Sequence, residues 1–249
     1  MNSTAVAAVP ALHGRPERKA NLDQWICWWS IPVFYNLFGL IFVYFTKVMP
    51  PPSPGFTQDE IVAFIQGNAT KLQIGFVMLA LTLGLASLSS GLIMVQMRRM
   101  SCARVFAYAY MAVLSVAALP GCLFCGFMLV LAAFRPDRDP HILVLLYDMA
   151  LLSFVGSLGC FVIQYLVFAI AILLDQRGIF PKWLAYMSIW GLVTELVAAP
   201  AWIFRGGPYA WNGAISFWLG TIIFVVWEFC LVVLLYKAIK NQPADEVLA

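Results

Sequence analysis

The chain has 249 residues, of which 63% are hydrophobic and only 11% charged, and its net charge is +3. That balance excludes an ordinary water-soluble domain, whose surface needs far more charge, and no basic soluble region is present that would grip nucleic acid. All six cysteines fall in or beside apolar segments, which excludes a secreted disulfide framework.

In chain order, residues 1–24 read as a short tail, with Arg15, Arg18 and Lys19 and only a weak apolar run from Ala5 to Leu12. That run is too weak for the centre of a cleaved signal peptide. Six apolar stretches follow, at 26–48, 72–97, 103–134, 142–174, 183–204 and 211–238. Each supplies the about 20 helical residues that a hydrocarbon core of roughly 30 Å requires. The expected fold is all-α, a polytopic transmembrane bundle of six helices over residues 25–240, closed by a second polar tail at 241–249. The fourth stretch would measure about 50 Å at helical rise. It must tilt, break at Gly156 or Gly159, or project, and we expect projection at its outer end.

The connections carry their own signals. Met49-Pro-Pro-Pro-Ser-Pro-Gly-Phe56 cannot continue a helix and should run extended. Thr57-Gln-Asp-Glu60 is a capping-box pattern, and with Ile61, Phe64 and Ile65 on one side it predicts a short interfacial helix near 57–67. Asn68-Ala-Thr70 fits a glycosylation acceptor, a pattern without meaning in a bacterial chain. Phe134-Arg-Pro-Asp-Arg-Asp-Pro-His141 reads as a rigid, self-paired turn. Asp137, Asp139 and His141 have the chemistry to bind manganese or zinc, but exposed Asp-rich turns are usually solvated. Cys122 and Cys125 form a C-x-x-C at helical spacing without two further ligands at that depth, so they read as packed thiols. No phosphate loop, nucleophile elbow or nucleotide fingerprint appears, and neither a metal nor a cofactor is expected.

Orientation follows from the short connections. One side would hold 10 of the 15 Lys and Arg residues, among them Arg98, Arg99, Arg177, Lys182, Lys237 and Lys240. By the positive-inside rule both termini are cytoplasmic.

Function must be argued from polar groups at membrane depth, which are costly unless paired, hydrated or neutralised. Asp148, Glu195 and Glu228 are the acids, and Asn36 and Gln164 join them as amides. Counting from the outer ends gives depths of roughly 10, 15 and 24 Å for the three acids at 1.5 Å per residue. Asp148 and Glu195 therefore read as a candidate acid/base pair in one outer layer, with Asn36 near Glu228. At 100° per residue, His141, Asp148, Leu152, Val155 and Gly159 share one face of the fourth stretch, and Ser153, Ser157, Cys160 and Gln164 the opposite one. Ser188, Gly191, Glu195, Ala198, Ala199 and Trp202 form a small and polar stripe on the fifth, and Phe217, Thr221, Phe224 and Glu228 align on the sixth. The candidate ligand-binding set is Asn36, His141, Gln164, Trp202, Trp211, Asn212 and Glu228. Pro200 should kink the fifth helix and free the carbonyl of Leu196 beside Glu195.

The segments Phe134-Arg-Pro-Asp-Arg-Asp-Pro140, Leu174-Asp-Gln-Arg-Gly-Ile-Phe-Pro-Lys-Trp183 and Gly207-Pro-Tyr-Ala-Trp-Asn-Gly213 resemble those of a family of small polytopic bacterial inner-membrane proteins to which no activity is attached. The resemblance implies a bacterial source and a six-helix bundle. The residues point first to a protein that holds a hydrophobic small molecule or lipid in an intramembrane pocket, or docks into a larger membrane complex. The aromatic content of 15% and ten methionines give pliable apolar surfaces for either. Second comes a membrane enzyme using Asp148 and Glu195 as acid and base on a lipid, steroid or terpenoid, comparable only by analogy with fungal membrane-bound terpenoid cyclases. An ion-coupled transporter is third, without a visible inverted repeat. The expected partners are the lipid bilayer and either a hydrophobic small molecule or a membrane protein, with no nucleic acid.

Overall fold

The computed structural model describes residues 21–102, 104–156, 159–243 and 246. Most of the two expected tails therefore lies outside the described residues. Six helical runs are long and apolar enough to cross a membrane: α1 (Leu22–Phe45), α2 (Gln58–Arg98), α3 (Arg104–Phe134), α4 (Pro140–Leu174), α5 (Lys182–Trp202) and α6 (Ala214–Lys240). No strand occurs among the described residues. The chain is all-helical, with the architecture of a multi-pass membrane protein.

Six antiparallel passes return the chain to the end where it began. Trp25 and Trp28 of α1 pack edge-on or tilted against Tyr236 of α6 at 5.3 and 5.5 Å, and Trp28 Nε1 donates to the Val232 carbonyl at 2.9 Å. This is the terminal end of the bundle; the Pro-rich loop lies at the far end. There, Tyr147 Oη donates to Ser53 O at 3.1 Å and Trp211 Nε1 to Pro52 O at 2.7 Å, so two buried aromatics clasp the loop backbone.

The capping box at Thr57 forms as expected, with Thr57 N donating to Glu60 Oε2 at 2.7 Å and Glu60 N to Thr57 Oγ1 at 3.4 Å. The helix it starts is not the short separate one expected near 57–67. It continues to Thr82 and, past one tight turn at Leu83 and Gly84, to Arg98. Its projecting turns are polar, but their side chains find partners. Gln66 donates to Pro136 O at 2.9 Å, Gln73 to Ala133 O at 3.3 Å, and the Lys71 ammonium stands 5.4 Å from the Tyr44 ring centroid. A lone helical Gly67 costs only about 1 kcal/mol, which these contacts offset.

In α4 two helical parts, Pro140–Gly156 and Gly159–Leu174, end and begin at the two glycines where a break is the alternative to projection, and the two residues between them lie outside the described set. In α5 the carbonyl of Leu196 is not left open by Pro200. Ala199 N–H takes it, and the helix tightens into a 3₁₀ turn over Ala199–Trp202. Wider π-type turns occupy Leu40–Phe45, Leu114–Ala118 and Ala214–Leu219.

The buried side chains form two clusters. One lies toward the terminal end around Tyr110, Phe168, Trp227 and Leu231, and the other toward the far end around Phe42, Leu129, Tyr147 and Leu151.

The turn from α4 to α5 is built on one residue that sequence reasoning passed over. Asp175 follows the last apolar residue of α4 and is buried. Its Oδ1 accepts from Ser101 N at 2.9 Å, Ser101 Oγ at 3.3 Å and Arg177 N at 3.1 Å, while Oδ2 accepts from Ile179 N at 3.0 Å. The loop between α2 and α3 is thereby tied to the turn between α4 and α5. Gly178 takes a left-handed φ of 69° that lets the chain reverse beneath the carboxylate. Burial works against ionisation here, but the amides of Ser101, Ile179 and Arg177 and the Ser101 hydroxyl outweigh it and hold Asp175 below its ordinary value of 3.8. Lys182 closes the same turn, its ammonium donating to the carbonyls of Leu173 at 2.8 Å, Asp175 at 2.7 Å and Ile172 at 2.5 Å.

Candidate intramembrane binding site

A cavity of about 660 Å³ opens between the two apolar clusters, with all six helices contributing to its wall. That size falls in the range of sites that enclose small organic ligands. The wall is mainly apolar, from residues such as Ile31, Phe38, Phe154, Phe161 and Phe224. The π-type turns supply Val43, Leu114, Ser216 and Phe217, so each of the three distorted stretches borders the cavity. Phe217, Thr221, Phe224 and Glu228 all line it, so the stripe expected on the sixth helix does face inward.

Polar groups punctuate this wall. Glu195 from α5 and Glu228 from α6 both line it, together with Gln164 and Tyr165 from α4, Tyr35 from α1 and Tyr110 from α3. No Lys, Arg or His is among the described lining residues. Tyr35 stands beside Glu228, and Tyr110 beside Gln164. Two side-chain atoms of this set, Gln164 Oε1 and Tyr165 Oη, are buried with no hydrogen-bond partner. A buried polar atom left unpaired costs about 1–3 kcal/mol, so both mark places where a bound group would be favoured.

Local packing explains why Tyr165 stays there. Its ring lies flush on Gly191, where a Cβ would come within 2.7 Å of the ring carbon Cζ. On another side it meets Trp227 edge-on at 5.0 Å. Trp227 is fixed in turn by its Nε1 donating to Ser188 Oγ at 2.9 Å, and Ser188 donates to the Leu184 carbonyl at 2.9 Å. The stripe of small residues on α5 therefore works as a seat: Ser188 holds Trp227, Gly191 admits Tyr165, and Glu195 follows one turn on. Ala198 of the stripe is also buried, whereas Ala199 is exposed.

The structure separates the expected acid/base pair. Asp148 does not line the cavity; it lies toward the far end, half-buried, with Oδ2 3.9 Å from Nη2 of the exposed Arg205. Of the other two acids, only Glu228 borders the same cavity as Glu195. Depth along a helix carries no information on direction around it, and that is where the pairing failed. Asn36 is likewise displaced. It is exposed and donates to the Pro32 carbonyl at 2.7 Å, while Tyr35, one residue earlier and about 100° around the helix, is the α1 residue that reaches Glu228.

Among the other candidates, only Gln164 and Glu228 border the cavity. His141 is exposed in the far-end turn, its amide donating to Asp139 Oδ1 at 2.8 Å. Trp202 is exposed at the surface and packs its indole over Gly156, where a Cβ would meet Cζ2 at 1.9 Å. Trp211 is the loop clasp described above, and Asn212 beside it is half-buried. Tyr35, Tyr110 and Tyr165 were missed because a tyrosine in an apolar run gives no signal that distinguishes it from packing. Ser157 and Cys160, expected on the Gln164 face, lie where no side chain is described.

No family model, no curated protein and no solved structure matches this chain.

Proposed function

We propose that the protein binds a hydrophobic small molecule in the cavity between its two apolar clusters, with a hydroxyl group of that molecule held by Gln164 and Tyr165. The observation that carries this reading is the pair of unpartnered atoms, an amide oxygen and a phenol, buried in an otherwise apolar wall. A ligand hydroxyl satisfies both, donating to Gln164 Oε1 and accepting from Tyr165 Oη. The apolar remainder fits a lipid, sterol or isoprenoid body, which reaches such a cavity from the bilayer itself. We further propose that the terminal end faces the cytoplasm of a bacterial inner membrane, on the Lys and Arg bias of the connections.

Mass spectrometry of an organic extract of the purified protein tests the binding role. One apolar species should accompany the wild type in stoichiometric amount. Tyr165→Phe should reduce its retention about tenfold, the order expected for one buried hydrogen bond. Gly191→Ala should reduce it further, since the new methyl displaces the Tyr165 ring into the cavity. Retention unchanged in both variants, or a stoichiometric protein partner with no small molecule, would defeat the reading and favour an assembly role.

Orientation has its own measurement. In intact cells, a single cysteine introduced after Asn241 in a cysteine-free background should resist an impermeant maleimide until the membrane is opened. Prompt labelling from outside would reverse the topology.

A further inference from the structure

A second cavity, of about 670 Å³, lies at the terminal end between the last turns of α2 and α6 and the turn that starts α5. Among the described residues its cationic side chains are Arg99, Arg177 and Lys237, and its one carboxylate is Glu246. Arg99 Nε donates to Glu246 Oε2 at 2.8 Å, and Arg177 Nη1 to Glu246 Oε1 at 3.4 Å, so a single carboxylate bridges two guanidiniums. The Lys237 ammonium has no ion-pair partner among the described residues. Among the described residues, three cations thus face one anion in the cleft.

The cleft is also held in shape. Arg99 donates to the Ala238 carbonyl at 3.0 Å and to Gln96 Oε1 at 2.5 Å. Gln96 is fully buried and donates in turn to Gln24 Oε1 at 2.6 Å. Arg177 leans on the Arg99 carbonyl at 3.0 Å. Ile179, Trp183 and Leu234 give the cleft an apolar wall, and Trp183 is partly exposed at the start of α5, the level at which interfacial aromatics sit.

We propose that this cleft binds the phosphate of an anionic lipid head group, and that Glu246 occupies the same two guanidiniums when no such lipid is present. Guanidinium forks match phosphate oxygens as they match a carboxylate, and a phosphate adds a negative charge beside Lys237, which has no ion-pair partner among the described residues. Basic pockets between helix ends at the polar boundary are suited to lipid head groups. The apolar wall favours a lipid over free phosphate, because it gives the glycerol and upper acyl carbons a surface to cover. Glu246 then works as a tethered competitor that lipid must displace.

The test uses the full chain reconstituted in phosphatidylcholine vesicles with and without phosphatidylglycerol, followed by native mass spectrometry of the lipids that stay bound. Wild type should retain phosphatidylglycerol in preference to phosphatidylcholine. Arg177→Gln and Lys237→Gln should each weaken that preference by about tenfold, the order of one lost charge-assisted contact. Glu246→Gln should strengthen it. Should Arg177→Gln lower the melting temperature, Lys237→Gln alone decides, since Lys237 makes no ion pair among the described residues. Equal retention of the two lipids by wild type, an unaltered preference in Lys237→Gln, or no gain in Glu246→Gln overturns the proposal. Full displacement of bound lipid by inorganic phosphate overturns the lipid as the source.

Discussion

Asp175→Ala is expected to destabilise the protein by about 3 kcal/mol, because buried unsatisfied donors cost roughly 1–3 kcal/mol each and partial hydration of the turn recovers some of the sum. The carboxylate takes bonds from the amides of Ser101, Arg177 and Ile179 and from the Ser101 hydroxyl. Without it, the loop after α2 and the turn after α4 lose their common acceptor. Asp175→Asn separates charge from geometry. One oxygen can still serve Ser101 and Arg177, but the new NH₂ then confronts the Ile179 N–H, donor against donor, so about half of the loss should remain. The pH dependence has a definite sign. The folded value is lowered from 3.8, so this stabilisation is fully present above the ordinary carboxylate range and is lost as pH falls through the lower folded value. Thermal unfolding in detergent reads all three effects; a melting temperature in Asp175→Ala equal to wild type would show that the network holds nothing together.

The second large effect concerns Glu195 and Glu228. Two carboxyl groups bordering one apolar cavity without a basic residue in its described wall favour an acid–base role as the alternative to simple binding. In that case Glu195→Gln and Glu228→Gln should each leave expression and thermal stability near wild type yet lower turnover, or the cellular phenotype, by about 10²- to 10⁴-fold. Asp148→Asn should change little, since its partner Arg205 is exposed and stands at 3.9 Å, and such solvent-screened pairs are worth about 0–1 kcal/mol. If the cavity only binds, the glutamine variants retain function, because an amide still fills the space and makes hydrogen bonds. Full function in both glutamine variants therefore removes the acid–base reading and leaves binding in place.

Much of this molecule is legible in the linear chain, and the reasons differ from residue to residue. The spans could be read because hydrocarbon thickness fixes their length. Glu195 and Glu228 stood out because a carboxylate inside an apolar run has few structural explanations. The capping box at Thr57 and Glu60 was readable because its bonds are local, but where that helix stops depended on Pro136, Ala133 and Tyr44, all distant in sequence. The failed pairing of Asp148 with Glu195 has the same origin, since helix rotation is set by which neighbours pack. Asp175 did leave a trace: an acid directly after an apolar run, followed by Arg177 and Gly178, is the pattern of a carboxylate that gathers turn amides. The Gly191 and Tyr165 contact left none, because a glycine in a helix does not announce which ring will lie on it.

Lys182 shows that charge in a nascent chain and charge in a folded one are different quantities. In the orientation proposed above, it weighs during insertion only as a positive unit that keeps its loop from crossing, and arginine would serve equally well. Once the turn has closed, the same side chain is an ammonium whose three N–H bonds meet three carbonyls, those of Ile172, Leu173 and Asp175. A flat guanidinium spreads its donors in a plane and cannot converge on such a cup. A Lys-to-Arg exchange at this position is thus silent to the machinery that threads the protein into the bilayer, and disruptive to the protein that results.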